Sequence, residues 1–312
     1  HTACLADYGI STSNGPMWQE TDALMSQHYD ERPEFFRAFL DRKYMAYSMA
    51  YYGETPDQIM ASAYTLEEAQ HVKFELICKR AQVQGHERVF SIGCGFGPLE
   101  TYLLENYPDI EVTSITPSQV QAEYIRQRMQ DSAHPLGCGR MKLIHGDFAA
   151  SSTAELGGAG YDLVFAVGMF EHIHNLHSAF RHIAALLPAD GRCFLHLIVS
   201  RPLFPQYMDS GKTLIGKYFP GGRVWPFSEL QKQKDCLDSV VSWYVNGLNY
   251  WRKLDEWHHR FWKNMDSLHA RVLSVDDIRH LNDYFILCKT VLFAPLDGSI
   301  YGNGHYLFRN RP

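Results

Sequence analysis

Glu87-Arg-Val-Phe-Ser-Ile-Gly-Cys-Gly-Phe-Gly97 is the stretch on which the fold turns. Val89, Phe90 and Ile92 form a short apolar run that breaks into Gly93, Gly95 and Gly97, and Pro98 then suits the first turn of a helix. The pattern predicts a buried strand, a tight turn and a helix. Glycines at alternate positions let backbone approach a ligand where a β-carbon would collide. This is the opening of a nucleotide-type site.

Dinucleotide-binding folds open similarly, but with G-x-G-x-x-G, whereas the spacing here is G-x-G-x-G. A helix from Leu99 to Asn106 and a second strand from Ile110 to Ile115 follow. At that strand's end the acidic residue that would hold a nicotinamide cofactor's ribose is missing. Thr116-Pro-Ser-Gln-Val-Gln121 stands there instead, so hydroxyls and an amide must do that work. The balance moves from NAD to S-adenosylmethionine, with helix capping the lesser reading of Thr116 and Gln121.

Working outward, strands and helices alternate. Thr65-Leu-Glu-Glu68 has the capping-box pattern and opens a helix leading into the first strand. Ser118 to Met129 reads as a helix, Lys142 to Ile144 as the third strand, and Tyr161 to Val167 as the fourth, running into Gly168-Met-Phe-Glu-His172. Leu176 to Leu187 is the next helix and Cys193 to Val199 the fifth strand. Such alternation predicts a doubly wound parallel sheet, which binds ligands at the carboxyl ends of its strands. Residues 201–270 break the rhythm, with a helical Ser228 to Lys234, a strand from Val240 to Val245 and a helix from Leu254 to Met265. Val275 to Phe293 is largely helical and Tyr306 to Phe308 the last strand. Upstream, Met17 to Met25 forms a short helix, and Tyr44 to Tyr52 is dense in hydroxylated aromatics, suited to a lid or a site lining.

The 312 residues, 46% hydrophobic and 21% charged, describe an ordinary globular chain, and a net charge of -6 argues against a general nucleic-acid binder. Seven scattered cysteines without a C-x-x-C pair suggest neither a disulfide framework nor a metal site, which favours a reducing cytoplasm. No apolar run is long enough for a membrane span.

Taken in order, the segments His28-Tyr-Asp30, Tyr47-Ser48, Thr65 to Gln70, Ile92 to Gly97, Thr116 with Gln121, Gly168 to His172, Phe194-Leu-His196, Lys217-Tyr-Phe-Pro-Gly-Gly222, and Asn246-Gly-x-x-Tyr250 with Trp257 resemble the cyclopropane fatty acid synthase family of S-adenosylmethionine-dependent methyltransferases, together with the related coclaurine N-methyltransferases. The resemblance implies an α/β class I methyltransferase (Rossmann-like) doubly wound sheet. It places an N-terminal helical arm and lid over residues 1–64, the cofactor-binding core over 65–200, an α-rich substrate-binding insertion over 201–270, and a helix and strand completing the core over 271–312.

It further implies that Tyr47 and Ser48 touch the methionine end of the cofactor, that Gly93, Gly95 and Gly97 line it, that Thr116 and Gln121 hold the ribose, and that Gly146, Asp147 and Phe148 flank the adenine. The family's cyclopropane synthases also bind bicarbonate as a base through a Cys, a Glu, a His, an Ile backbone group and a Tyr. Here Glu171, His196, Ile198 and Tyr250 match, but Met49 stands at the Cys. A thioether offers a weak acceptor and no donor. The coclaurine-like enzymes carry an extra Glu three residues before the Glu-His pair, where this chain has Gly168; Glu171 and His172 would then supply the base, with His174 nearby. Eleven aromatics between Tyr218 and Trp262 could build an acceptor pocket. His258 to Arg260 and Lys232 to Lys234 could meet lipid phosphates or simply face water. The expectation is a cytoplasmic methyltransferase acting on a lipid-like or isoprenoid alkene, with a small amine as the alternative acceptor. It has at most peripheral membrane contact, and a homodimer is compatible with it.

Overall fold

A computed structural model describes residues 15–18, 33–202, 206–207, 222–233, 235–269 and 272–311. His28 to Asp30, most of the expected helix from Met17 to Met25, and Lys217 to Gly221 lie outside them. In chain order the elements are α1 (Pro33–Arg37), α2 (Pro56–Ala61), α3 (Leu66–Arg80), β1 (Arg88–Ile92), α4 (Pro98–Asn106), β2 (Glu111–Thr116), α5 (Gln119–Met129), β3 (Met141–His145), β4 (Leu163–Val167), α6 (Leu176–Ala184), β5 (Arg192–Ser200), β6 (Gln206–Tyr207), β7 (Arg223–Pro226), β8 (Leu237–Val245), α7 (Leu248–Lys263), α8 (Met265–Leu268), α9 (Val275–Leu287) and β9 (Tyr301–Asn310).

The capping box at α3 forms as read: Thr65 Oγ1 accepts from the Glu68 amide at 3.3 Å, and Glu68 Oε2 accepts from the Thr65 amide at 2.8 Å. Strands β3-β2-β1-β4-β5 lie side by side and parallel. β9 then pairs antiparallel with β5, and β8 antiparallel with β9, so a parallel core ends in an antiparallel edge. The strand order reverses between β1 and β4. Their carboxyl ends therefore diverge into a crevice, the place where sheets of this kind bind ligands. β1, β2 and β4 are almost wholly buried, as parallel strands covered on both faces must be.

Several element boundaries differ from the sequence reading. The final strand spans Tyr301–Asn310 rather than three residues, and Gly302 and Gly304 within it sit where a side chain would strike the Val245 carbonyl or the Tyr306 ring. α7 starts at Leu248, six residues early, since Asn246 Oδ1 accepts the Leu248 amide at 2.8 Å and launches the helix. The helix expected over Ser228 to Lys234 shrinks to a 3₁₀ turn at Leu230–Lys232. α6 stops at Ala184, and the helical stretch from Val275 widens into a π-helical turn at Cys288–Phe293. No helix among the described residues is long and apolar enough to cross a membrane.

Candidate active site

The crevice begins with the glycine turn after β1. Gly93, Gly95 and Gly97 all have positive φ, of 72°, 56° and 78°, which an L side chain adopts only with strain. A β-carbon on Gly93 would lie 3.0 Å from Met169 Cγ, so this glycine packs against the turn after β4. A β-carbon on Gly95 would meet no atom of the described residues within 4 Å. Among these residues the backbone is bare at that point, as a ligand's close approach requires. Gly97 is the N-cap of α4, whose first amides add a weak positive end.

Beneath this turn lies a group that the sequence reading missed. Ser91 and Ser114 are register partners in β1 and β2, and Glu100, fully buried on α4, accepts from the Ser114 hydroxyl at 3.1 Å. Burial pushes this carboxyl up from its ordinary value. It braces the turn from below.

At the end of β2, the Thr116 hydroxyl donates to Gln121 Oε1 at 2.7 Å and accepts from the Ser118 amide, while Ser118 caps α5. Thr116 and Gln121 thus reach each other and share one spot at the crevice edge, and capping falls to Ser118. After β3, Asp147 Oδ1 accepts the Ala149 amide at 2.8 Å and Oδ2 accepts the Trp18 indole N–H at 3.3 Å. The Phe148 side chain turns into the core against Phe90 and His182, which leaves only backbone at Gly146 to Phe148 to face an adenine.

The turn after β4 carries the titratable groups. Gly168, at φ 70°, brings Ser48 close: a β-carbon on Gly168 would lie 3.9 Å from Ser48 Cβ. Glu171 is 2% exposed; its Oε1 accepts the Ile198 amide at 2.8 Å, and its Oε2 has no hydrogen-bond partner among the described residues. Burial pushes its carboxyl up to about 7, against the pull of the Ile198 amide. Burial, helped by His174, lowers His172 to about 4, so this imidazole is neutral at physiological pH. His177 instead faces Asp235, 3.3 Å away.

His196 sits in the floor between β5 and β9, 1% exposed. Its Nδ1 lies 2.7 Å from His305 Nε2, and His305 Nδ1 lies 2.8 Å from Arg80 Nη1. Arginine can only donate, which fixes both tautomers. His305 accepts at Nδ1 and donates from Nε2; His196 therefore accepts at Nδ1 and carries its proton on Nε2. The Asn303 amide, 2.5 Å from that nitrogen, must then turn its oxygen toward it. Burial and the neighbouring cations hold both imidazoles well below their ordinary value, hence neutral.

This geometry tests the bicarbonate expectation. Both His196 nitrogens are engaged, the Ile198 amide is bound to Glu171, and the Tyr250 hydroxyl is bonded to the Met49 backbone. Met49, fully buried, contributes no donor. As the side chains stand, these groups are largely engaged within the chain, while Glu171 Oε2 is left open among the described residues. The crevice fits S-adenosylmethionine through the Gly95 backbone and the hydroxyl–amide pair at the end of β2.

The remaining wall is an irregular but buried strap, residues 44–53. Buried backbone must find partners, and distant side chains supply them. Asp41 accepts the Tyr44 and Ala46 amides at 2.6 and 2.8 Å. Gln70 donates to the Ala46 and Ser48 carbonyls, and Asn249 holds the backbone at Tyr52 and Gly53. Lys73 Nζ donates to Ser48 Oγ at 2.9 Å, and Lys253 Nζ donates to the Tyr47 carbonyl. Lys253 Nζ also lies 3.5 Å from the Trp257 ring centroid and 5.1 Å from that of Tyr250. Both lysines are 0% exposed. Tyr47 is 38% exposed, its ring 5.0 Å from Trp257.

Among the described aromatics of the stretch from Tyr218 to Trp262, Tyr250 and Trp257 reach this wall. Trp225 lies in the opposite core, Trp243 stacks under Arg80, and Trp262 is half exposed. Neither lysine, nor Asp41 or His305, stood out in the sequence, because each acquires its role only through partners far along the chain.

The family described as mycolic acid cyclopropane synthetase matches residues 18–295 of the chain. Cyclopropane mycolic acid synthase 3 of Mycobacterium tuberculosis is 30% identical over 254 residues, 77% of this chain and 82% of that protein. A probable (S)-tetrahydroprotoberberine N-methyltransferase 2 of Papaver bracteatum is 27% identical over 259 residues, 79% of this chain and 70% of the relative. The crystal structure of coclaurine N-methyltransferase bound to N-methylheliamine and S-adenosylhomocysteine superposes with a TM-score of 0.83 at 23% identity, covering 96% of this chain and 85% of that one.

Proposed function

Since the chain belongs to the mycolic acid cyclopropane synthetase family and is an S-adenosylmethionine-dependent methyltransferase, we propose that it methylates the double bond of an uncharged lipid-like or isoprenoid acceptor, and that Glu171 itself takes the proton released. The observation that carries this reading is the Glu171 carboxylate: fully buried, one oxygen fixed by the Ile198 amide, the other without a protein partner among the described residues. A carboxyl held at about 7 is suited to accept a proton at neutral pH.

When bound, the cofactor supplies an electrophilic methyl on a sulfonium and leaves as S-adenosylhomocysteine. The residues of the chain do the rest. An alkene that took up this methyl would carry positive charge on its neighbouring carbon. Tyr250, stacked on Phe293 at 4.5 Å, and Tyr47 offer aromatic faces to that charge. Glu171 then takes a proton, either from the acceptor or from the transferred methyl, and ends as the neutral acid. His196, locked as a neutral imidazole, holds the β5 floor from which the Ile198 amide orients Glu171. Much of the acceleration would come from holding the two reactants together out of water.

Methylation of a small amine is the second reading. The engaged bicarbonate groups favour it, because a methylated amine carries its own acidic proton and needs only Glu171 or His172. Gly168 weighs the other way. The test is incubation with trideuteromethyl cofactor, unsaturated phospholipid vesicles and, separately, a pool of amines. Label in the lipid is the expected outcome, and label confined to the amines would overturn the first reading. Three retained deuterons would mean that the acceptor lost the proton; two would mean that the methyl lost it, as ring closure requires.

A further inference from the structure

Two lysines are buried behind the strap wall, with little acid beside them among the described residues. Lys73, on α3, and Lys253, on α7, approach consecutive residues of the strap from two helices, one at the Ser48 hydroxyl and one at the Tyr47 carbonyl. Both are 0% exposed. Among the described residues the acid that faces them is Asp41, and its two oxygens already serve the Tyr44 and Ala46 amides. The neighbouring groups on β5 and β9, His196 and His305, add no negative charge, and Arg80 adds positive. Interiors avoid isolated charge, and replacing a buried ion by an apolar residue of like volume is often neutral or stabilising. A methionine at either position would fill the same space at less cost. Two such lysines at one spot call for an anion.

The crevice says which anion. Ser48 lies over Gly168 at the carboxyl end of β4, and Met169 lies against Gly93, so the two lysines stand behind the end of the crevice remote from the Thr116–Gln121 pair. We propose that Lys73 and Lys253 are positioning residues that form a two-lysine seat, acting through Ser48 and Tyr47, for the carboxylate at the amino-acid end of S-adenosylmethionine. The seat sets which way round the cofactor lies, and so where its methyl group faces Glu171. This rests on the cofactor alone and holds for either acceptor. Burial pushes Lys73 down to about 7 and Lys253 well below its ordinary range, and a carboxylate arriving beside them would draw both back up, coupling its binding to proton uptake by the lysines.

The test compares two ligands that share the adenosine and differ in the amino-acid end. S-adenosylhomocysteine and 5′-methylthioadenosine are titrated calorimetrically into the full chain and into Lys73→Met and Lys253→Met. Each variant should bind S-adenosylhomocysteine about tenfold or more weakly, the scale of one charge-assisted hydrogen bond, and bind 5′-methylthioadenosine within about twofold of the parent. Melting temperatures should hold or rise. Equal loss for both ligands would reduce the lysines to scaffold and overturn the proposal; so would undiminished affinity for S-adenosylhomocysteine. Should a methionine variant fail to fold, Lys253→Gln and Lys253→Arg replace it. Arginine should recover part of the selective loss seen with glutamine, and identical behaviour of the two would count against the seat.

Discussion

The two walls of the crevice are built on opposite plans. The glycine-turn wall, from β1 to the end of β3, takes its parts from residues 88–148, and it meets a ligand largely with backbone and two neutral side chains. The strap wall draws on Asp41, Tyr47, Lys73, Glu171, His196, Lys253 and His305, spread over more than 260 residues, and it is crowded with titratable groups. The parts of the first wall are close together in the sequence; those of the second meet only in the fold. One wall can be damaged without the other, and each prediction below strikes one wall and measures both.

The largest effect belongs to Glu171. Glu171→Gln keeps the volume and the acceptor for the Ile198 amide but removes the base, and turnover should fall by about a hundredfold to ten-thousandfold while S-adenosylhomocysteine affinity stays within a few-fold. Near-parental turnover would detach the chemistry from the strap wall altogether. The same variant bears on stability. Between the ordinary value of 4.5 and about 7, the folded protein keeps a proton that the unfolded chain has released, so stability falls as pH rises through that window. The cumulative cost is about 3 kcal/mol above neutrality. Glu171→Gln should lack that component, and its melting temperature should exceed the parent's at pH 8 but not at pH 4.5. In the parent, kcat should climb as pH passes through about 7, where the carboxyl loses its proton.

A smaller effect separates two glycines of the other wall. Gly95→Ala places its methyl where no atom of the described residues stands within 4 Å, so beyond the strain of φ 56° the loss should appear in cofactor affinity, about tenfold. Gly93→Ala drives its methyl to 3.0 Å from Met169, and its loss should appear first as a lowered melting temperature. If both variants lost stability and affinity in the same proportion, the backbone would be serving as scaffold rather than as a binding surface.

The same division explains what the sequence could tell. Gly93 to Pro98, the Thr65 capping box and the Thr116–Gln121 spacing each carry their meaning within a few residues, and those elements lie where the pattern puts them. Glu171 was legible as part of a motif, yet its partner, the Ile198 amide, was not, since β5 meets the turn after β4 only in the folded sheet. Lys253 fell just before the helix expected from Leu254, and only its 3.5 Å approach to Trp257 puts it inside. Glycines at 302 and 304 disguised the strand that brings His305 to His196.

Met49 gives the finest comparison. If the thioether alone had displaced bicarbonate, Met49→Cys would restore a donor, and added bicarbonate would then speed the reaction. The structure argues otherwise, because the remaining groups are committed: Arg80 fixes the His305 tautomer, His305 fixes that of His196, and Asn303 takes the last ring nitrogen. Ile198 is spent on Glu171. Met49→Cys should therefore change the response to bicarbonate by less than about twofold, the scale of a lost weak contact, and depleting bicarbonate should leave the parent's rate unchanged. Nitrogen-15 shifts of His196 check the premise separately, with Nε2 protonated and Nδ1 bare at neutral pH. A strong bicarbonate stimulation in Met49→Cys, accompanied by a reversed tautomer, would show that the floor can reopen and that a single side chain divides the two kinds of base.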